Sequence, residues 1–289
     1  MLSLDDKKIR KGKPIGLPYQ GSKKKISKKI VEIIKQNFGT TKPIYDIFGG
    51  GGAITAECIL NGLEVHYNDL DKDITNAFER VVSQDREWIK TLIVSREEFF
   101  EIKDKENKTT DDFLKLLINS FGNSTKSYMY SKENSDLKYN LSKEIIEKHD
   151  VFSGYKQTET YKRSIEKHEQ LGQLQQLQRL QQLQRLQQLQ RLQQLERLQQ
   201  LDEVKATNKS YHDFSEGTRH DSYINSFDSQ EFYDWAFEMA KTNIVIISSY
   251  SISDERFEAV YSFDKARSTI HGGQSNKAKN EKLFMVKDS

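Results

Sequence analysis

The sequence predicts an α/β fold, with a Rossmann-like sheet wrapped by helices, and three observations predict it. The short apolar run Tyr45-Asp46-Ile47-Phe48 breaks into Gly49-Gly50-Gly51-Gly52. A helical pattern carrying Ala56, Cys58, Ile59 and Leu60 follows, and Glu64-Val65-His66-Tyr67 then reads as a second strand ending at Asn68-Asp69. Strand, glycine loop, helix, strand and terminal acid together make the nucleotide-binding half of a doubly wound sheet. Glycines lack Cβ, so the chain can turn sharply and a ligand can come close to the backbone. The N–H groups opening the next helix have no intrahelical partner and face whatever lies there. Taken alone, the loop also fits a plain glycine turn in an ordinary α/β protein.

The loop narrows the ligand. A dinucleotide fingerprint needs a third glycine three residues after the second, and counting from Gly50 and Gly52 that place holds Thr55. A nicotinamide-dependent enzyme is therefore disfavoured. What remains, Phe48-x-Gly50-x-Gly52 with Asn68-Asp69 downstream, is similar to the S-adenosylmethionine loop of methyltransferases.

Ahead of this unit lies Leu17-Pro18-Tyr19-Gln20-Gly21-Ser22-Lys23, followed by a helix with Ile26, Ile30, Val31, Ile33 and Ile34 at helical spacing. Pro-aromatic-x-Gly-x-Lys before a helix suits a loop with a buried ring and a reaching cation. Set about twenty-five residues ahead of Phe48-x-Gly50-x-Gly52, a distance read along the chain, it resembles the Dam-like family of DNA adenine-N6 methyltransferases, in particular phage-borne members. The resemblance covers nearly the whole chain. It implies a class I S-adenosylmethionine-dependent methyltransferase fold with a helical target-recognition insertion. It further implies that Tyr19 and Lys23 help hold S-adenosylmethionine, the ring against the cofactor and the amine near its carboxylate. Phe48, Gly50 and Gly52 would line the methionine side, and Asp69 would bind the ribose.

Length and composition bound the rest. The 289 residues can hold one large α/β domain with an insertion or two small domains. A hydrophobic share of 35% is low for a compact domain, so part of the chain is expected to pack little. The net charge of +2 selects no partner, but Lys7, Lys8, Arg10, Lys11, Lys13, Lys23, Lys24, Lys25, Lys28 and Lys29 crowd the start. Such a cluster suits phosphates, and equally a solvated arm. The single cysteine, Cys58, excludes an intramolecular disulfide and a multi-cysteine zinc site, and its helical position makes it a packing residue. The six histidines show no ligand spacing, so no metal is expected. No apolar run approaches a membrane span and no signal-peptide pattern is present, so a soluble, cytoplasmic protein is expected.

Five regions follow from these readings: a flexible basic arm at 1–16; a cofactor domain at 17–84 and 227–289; a helical recognition segment at 85–165; a Leu/Gln-repeat helix at 166–203; and a polar connector at 204–226. In the recognition segment, Ser120-Phe121-Gly122-Asn123 with Lys126, Tyr128 and Tyr130 combines a backbone break, amides, aromatics and a base. Asn123, Lys126 and Tyr128 are the candidates for contact with double-stranded DNA, and a solvated helix–helix connection is the other reading. From Leu171 to Leu201 leucine recurs at every third position. An α-helix turns about 100° per residue, so this period slips by about 60° per step and misses the 3.5 period of a coiled coil. A projecting, slippage-derived spacer is the expectation, and self-association through 171–201 the alternative. The C-terminal part predicts a helix with Phe232, Trp235, Ala236 and Met239 on one face after Asp228. A buried strand at 244–247, helical spacing at Phe257, Val260 and Tyr261, and a last strand at 282–286 follow.

One part is missing. Amino methyltransferases end an apolar strand in Asp/Asn/Ser-Pro-Pro-Tyr/Phe/Trp. The adenine N6 lone pair is delocalised into the ring, and oxygen acceptors on the amine favour the more sp³-like geometry that attack requires. The aromatic residue stacks on the flipped adenine. All three prolines here, Pro14, Pro18 and Pro43, precede the glycine loop. In the family order the motif belongs between the recognition segment and the Phe232 helix. There the chain reads as if a strand had been removed between Ser215 and Glu216, a strand that would lie beside Tyr45–Phe48. Ser248 and Tyr250 are stand-ins from a neighbouring strand end, and Asp213 or Glu216 could offer a loop carboxylate. The expectation is an adenine-N6 methyltransferase with impaired chemistry; the alternative is an inactive homologue that binds DNA, cofactor or protein.

Overall fold

The computed structural model describes residues 1–19, 21–152, 159, 162, 186–202, 204–214, 227–263 and 280–287. The architecture is mixed α/β with a parallel three-stranded sheet, compatible with a methyltransferase fold. In that sheet β1 (Ile44–Asp46) pairs with β2 (Val65–Asn68), and β2 pairs with β3 (Ala206–Thr207). The register sets Tyr45 beside His66 and Tyr67 beside Ala206. The connector expected at 204–226 thus supplies a strand, because Thr207 meets the side chain and backbone of Asn68 at the mouth of the glycine loop. Residues 215–226, including Glu216, lie outside the described residues.

A second, antiparallel sheet runs in the order β4 (Ile247–Ser249), β6 (Lys282–Val286), β5 (Phe257–Ser262). Among the described residues β1 has a strand neighbour on one side only, and no strand joins the two sheets. Helix α1 (Ser27–Phe38) bridges them by packing. Its Ile30 and Ile33 meet Val260, Phe263 and Leu283 of the second sheet, while Val31 meets Cys58 and Leu63 beside the first.

Helix α2 (Ala53–Leu60) follows the glycine loop, and α3 (Lys72–Val82) follows β2 with Asp71 capping its N-terminus through the amides of Asp73 and Ile74. The helical segment comprises α4 (Arg86–Lys90), α5 (Arg96–Asp104), α6 (Thr110–Asn119) and α7 (Lys132–His149). Asp85, Ser95 and a Thr109/Asp112 capping box start the first three. In the C-terminal part α9 (Ser229–Met239) is capped by Asp228 as the sequence predicts.

Expectations in three regions are corrected. Residues 1–16 do not hang free: the Leu2 amide donates to Val260 O, Leu2 and Leu4 pack beside the second sheet, and Ile15 is buried. Arg10 forms two 2.8 Å bonds to the carboxylate of Glu57, which is 1% exposed. A carboxylate so buried requires a partner, and the basic arm provides it. Second, Phe257, Val260 and Tyr261 lie in a strand. A bulge between Ala259 and Tyr261 separates buried Phe257 from buried Val260 by three residues, which imitates helical spacing. The strand expected at 244–247 begins only at Ile247, because β6 offers partners to 247–249 alone.

The third correction concerns the leucine tract. Residues 171–185 lie outside the described set, but α8 (Gln187–Leu198) does not project. Leu186, Leu189, Leu192, Leu195, Leu198 and Leu201 are all buried in the main core with Ile74, Phe78, Leu114, Leu117 and Leu141. Helix α8 lies against α3, α4 and α6. Inside α8 the four leucines from Leu189 to Leu198 lie three steps of about 60° apart and so spread around roughly half the helix. A period of three therefore suits a helix covered on a broad arc.

Candidate functional site

The glycine loop connects β1 to α2, and its shape is set by backbone contacts. The Gly49 amide donates to Asn68 O, Gly52 to Gly49 O, and Leu17 to Gly51 O, at 2.8–2.9 Å. Gly50 and Gly52 have positive φ, +48° and +69°. A Cβ on Gly52 would lie 2.2 Å from the Phe78 ring, and one on Gly50 2.9 Å from the Tyr19 ring. Neither an L side chain nor its conformation fits there.

Two carboxylates fix this turn. Asp46, at the end of β1, accepts from the Thr55 amide (3.1 Å) and hydroxyl (2.7 Å). Burial pushes its pKa up to about 6, with the Thr55 bonds opposing and Asp69 adding to the shift. Thr55, the residue that breaks the dinucleotide pattern, thus has a structural task of its own. Asp69, at the end of β2, accepts from the Gly50 amide (2.8 Å) and the Asp71 amide (2.9 Å). Tyr67 donates its hydroxyl to Gly50 O at 2.6 Å.

The structure therefore brings Tyr19, Gly50, Gly52 and Asp69 together. Burial, then Asp69 and Asp71, raise the Tyr19 pKa, so its hydroxyl stays protonated. Phe48 is 53% exposed and leans on Tyr211, Phe227 and Phe232, with ring centroids 5.5–6.3 Å apart. Trp235 joins the same nest, its indole nitrogen buried without a hydrogen-bond partner. These aromatic neighbours of Phe48 were missed in the sequence, because Tyr211 comes from a connector, Phe232 and Trp235 from a helix face read as core, and Phe227 from the residue before the Asp228 cap.

Lys23 faces the second sheet. Its Nζ lies 2.5 Å from Oε1 of Glu281, which is 2% exposed and also accepts from Ser248 Oγ at 2.9 Å. The Tyr250 ring lies 5.8 Å from the same amine. Ser248 and Tyr250 are thus grouped with Lys23, through a glutamate that precedes the last strand and gave no sequence signal beyond its place there. Lys24 turns inward instead, donating to Gln194 of α8 (2.6 Å) and Gly16 O. Burial and the nearby Arg191 and Arg197 lower its pKa to about 8. Asp213 is exposed and accepts from the Ser210 amide.

Between α6 and α7 the chain folds back on itself, with Phe121 N donating to Ser127 O and Met129 N to Asn119 O. Gly122, Asn123 and Thr125 take positive φ, and Phe121 at the tip is 68% exposed. Lys126 is exposed and Asn123 half-buried. Tyr128 departs from its expectation as a surface contact: it is buried, and its hydroxyl donates to Val94 O. Alternation around the turn sends its ring into the core beside Phe99. Helix α8 braces this turn. Arg191 donates to the carbonyls of Leu117, Ile118 and Ser120 at 2.6–3.0 Å, and Gln188 reaches Asn119 and Tyr128. Those carbonyls lie at the end of α6, where intrahelical partners run out, and Leu117 O also accepts from Ser120 Oγ.

Among the described residues no group of three or more His, Cys, Asp or Glu is placed to hold a metal ion, and no helix is long and apolar enough to cross a membrane. The Cβ-free turn, the aromatic wall of Tyr19 and the acceptor-only carboxylate of Asp69 suit a ligand carrying a nucleoside. Residues 19–143, rather less than half of the chain, match the family model of the D12 class N6 adenine-specific DNA methyltransferases. That family acts in DNA adenine methylation in general, with DNA as substrate and a methyl donor as co-substrate. No curated protein matches the chain.

Proposed function

We propose, with the D12 class domain as premise, that the chain is a site-specific adenine-N6 DNA methyltransferase by descent whose chemistry is impaired. The donor is S-adenosylmethionine, which when bound supplies an electrophilic sulfonium methyl. Tyr19, Gly50, Gly52, Phe48 and Asp69 would hold it, with Lys23 released from Glu281 to meet its carboxylate. Class I topology is part of the same reading, as are a cytoplasmic location and the division into cofactor domain, recognition segment and repeat helix. Lys126 and Asn123 remain the candidates for DNA contact.

The observation that carries the impairment is that, among the described residues, β1 has a strand neighbour on one side only. Among the described residues the two three-stranded sheets share α1 but no strand. The strand that would end in Asp-Pro-Pro-Tyr belongs beside β1, and every proline of the chain lies before the glycine loop. Without it, no described residue pairs an oxygen acceptor with a stacking ring at the end of β1. Ser248 and Tyr250 belong to the second sheet, where Glu281 and Lys23 engage them.

Two measurements test the reading. Calorimetric titration with S-adenosylmethionine should show binding, while transfer of labelled methyl groups to duplex DNA should be at least about a hundredfold below an intact enzyme, the scale of one lost transition-state contact. Inserting an apolar strand ending in Asp-Pro-Pro-Tyr after Ser215 should restore transfer. Normal turnover by the unaltered chain would refute the impairment. The same cofactor grouping without an acceptor also favours a second reading, a binding module that holds cofactor or DNA without chemistry. DNA retention in a filter-binding assay, with no transfer even after the insertion, would select it.

A further inference from the structure

The sixteen residues in and around α8, Leu186–Leu201, read Leu-Gln-Gln-Leu-Gln-Arg-Leu-Gln-Gln-Leu-Glu-Arg-Leu-Gln-Gln-Leu. The sixteen residues 180–195 are the same but for one position, where Gln190 stands in place of Glu196. Residues 174–189 repeat that second window without a change. The packing of α8 distinguishes a shift of three from a shift of six. Moving the chain by three would bring Arg185 to the buried place where Gln188 meets Asn119 and Tyr128. It would also bring Gln188 to the place where Arg191 closes the end of α6. That exchange strands a buried cation and takes the arginine from the carbonyls of Ile118 and Ser120.

Moving the chain by six costs none of this. Gln182 replaces Gln188, Arg185 replaces Arg191, Gln188 replaces Gln194 at Lys24, and each core leucine is replaced by a leucine. The one lost contact is Glu196 Oε1 with Arg86 Nε, at 2.6 Å, between side chains 39% and 29% exposed. An ion pair so open to solvent discriminates weakly, and Arg86 keeps Asp150 in either case. The connector to β3 would lengthen from the four residues 202–205 to ten, since Leu195 would then stand where Leu201 stands. Loop closure depends only weakly on such a change.

We propose that the slot of α8 accepts the repeat in registers six residues apart, and that Glu196, through Arg86, is the residue that selects one of them. The slip stores or releases one hexad at the connector leading to β3, while the braces on the recognition turn and on Lys24 stay the same. The number of hexads can change without a change in the packing of this helix. The inference stands on α8 alone and is independent of the enzymatic reading.

Gln199 donates to the carbonyl of Gln84 at 2.7 Å, which gives a direct test. In the full chain, the pair Gln84→Cys with Gln199→Cys reports the described register. Gln84→Cys with Gln193→Cys reports the slipped one, since the two positions are about 9 Å apart along the helix. Under mild oxidation, with the bridges mapped by mass spectrometry, the first pair should close and the second should stay mostly open. Adding Glu196→Gln should raise the second bridge several-fold, to on the order of one molecule in four if loop closure alone then separates the registers. Circular dichroism should report an unchanged helix content. A second bridge that stays equally rare in the Glu196→Gln background, while the first still forms, would overturn the proposal. Failure of the first bridge in a folded chain would overturn it as well.

Discussion

The glycine loop and helix α8 are held by opposite means. In the loop, shape follows from what is missing: without Cβ atoms at Gly50 and Gly52 the chain can pass against Tyr19 and Phe78. In α8 nothing local fixes the outcome. Its leucines form no narrow stripe, and their burial depends on α3, α4 and α6 surrounding the helix. The contrast teaches that a backbone-determined site announces itself in a few residues, whereas a packing role can hide in low-complexity sequence.

Substitutions in the two regions put this contrast to the test. Gly52→Ala combines a clash at Phe78 with a left-handed φ of +69°, and should cost about 4 kcal/mol in urea unfolding. A neutral effect would show that the loop is not built on exclusion. Leu195→Ala should cost about 3 kcal/mol, as expected of a buried leucine. A solvated spacer would lose nothing measurable, so this variant decides whether the tract belongs to the core.

Asp46 gives the loop a pH signature. Its folded pKa of about 6 stands above its ordinary value of 3.8, so the folded chain holds a proton that the unfolded chain has released between those values. Stability from this group therefore falls as pH rises from about 4 to about 6, by at most about 3 kcal/mol. Asp46→Asn should flatten that part of the profile; an unchanged slope would remove Asp46 as its source. Smallest of all, Glu196→Gln should shift the unfolding midpoint by less than the equivalent of about 1 kcal/mol.

Much of the fold around the glycine loop was legible because its determinants are local. Gly50 and Gly52, Asp69 at a strand end, Asp228 as a cap and the apolar face of α1 each carry their reason within a few residues. What was not legible depends on distant partners. Arg10 is fixed by Glu57, Lys23 finds Glu281 across the chain, and Tyr128 is drawn inward by Val94 and Gln188. The bulge in β5 shows a local pattern misleading in a definite way, since one extra residue turns strand alternation into helical spacing.

The measurement closest to the central claim is a calorimetric titration of the full chain and its Asp69→Ala variant with S-adenosylmethionine. The account predicts saturable one-to-one binding by the parent, weakened at least about tenfold in the variant, as for loss of a charge-assisted hydrogen bond. Absence of binding by the folded parent, or equal affinity in the two proteins, would contradict it.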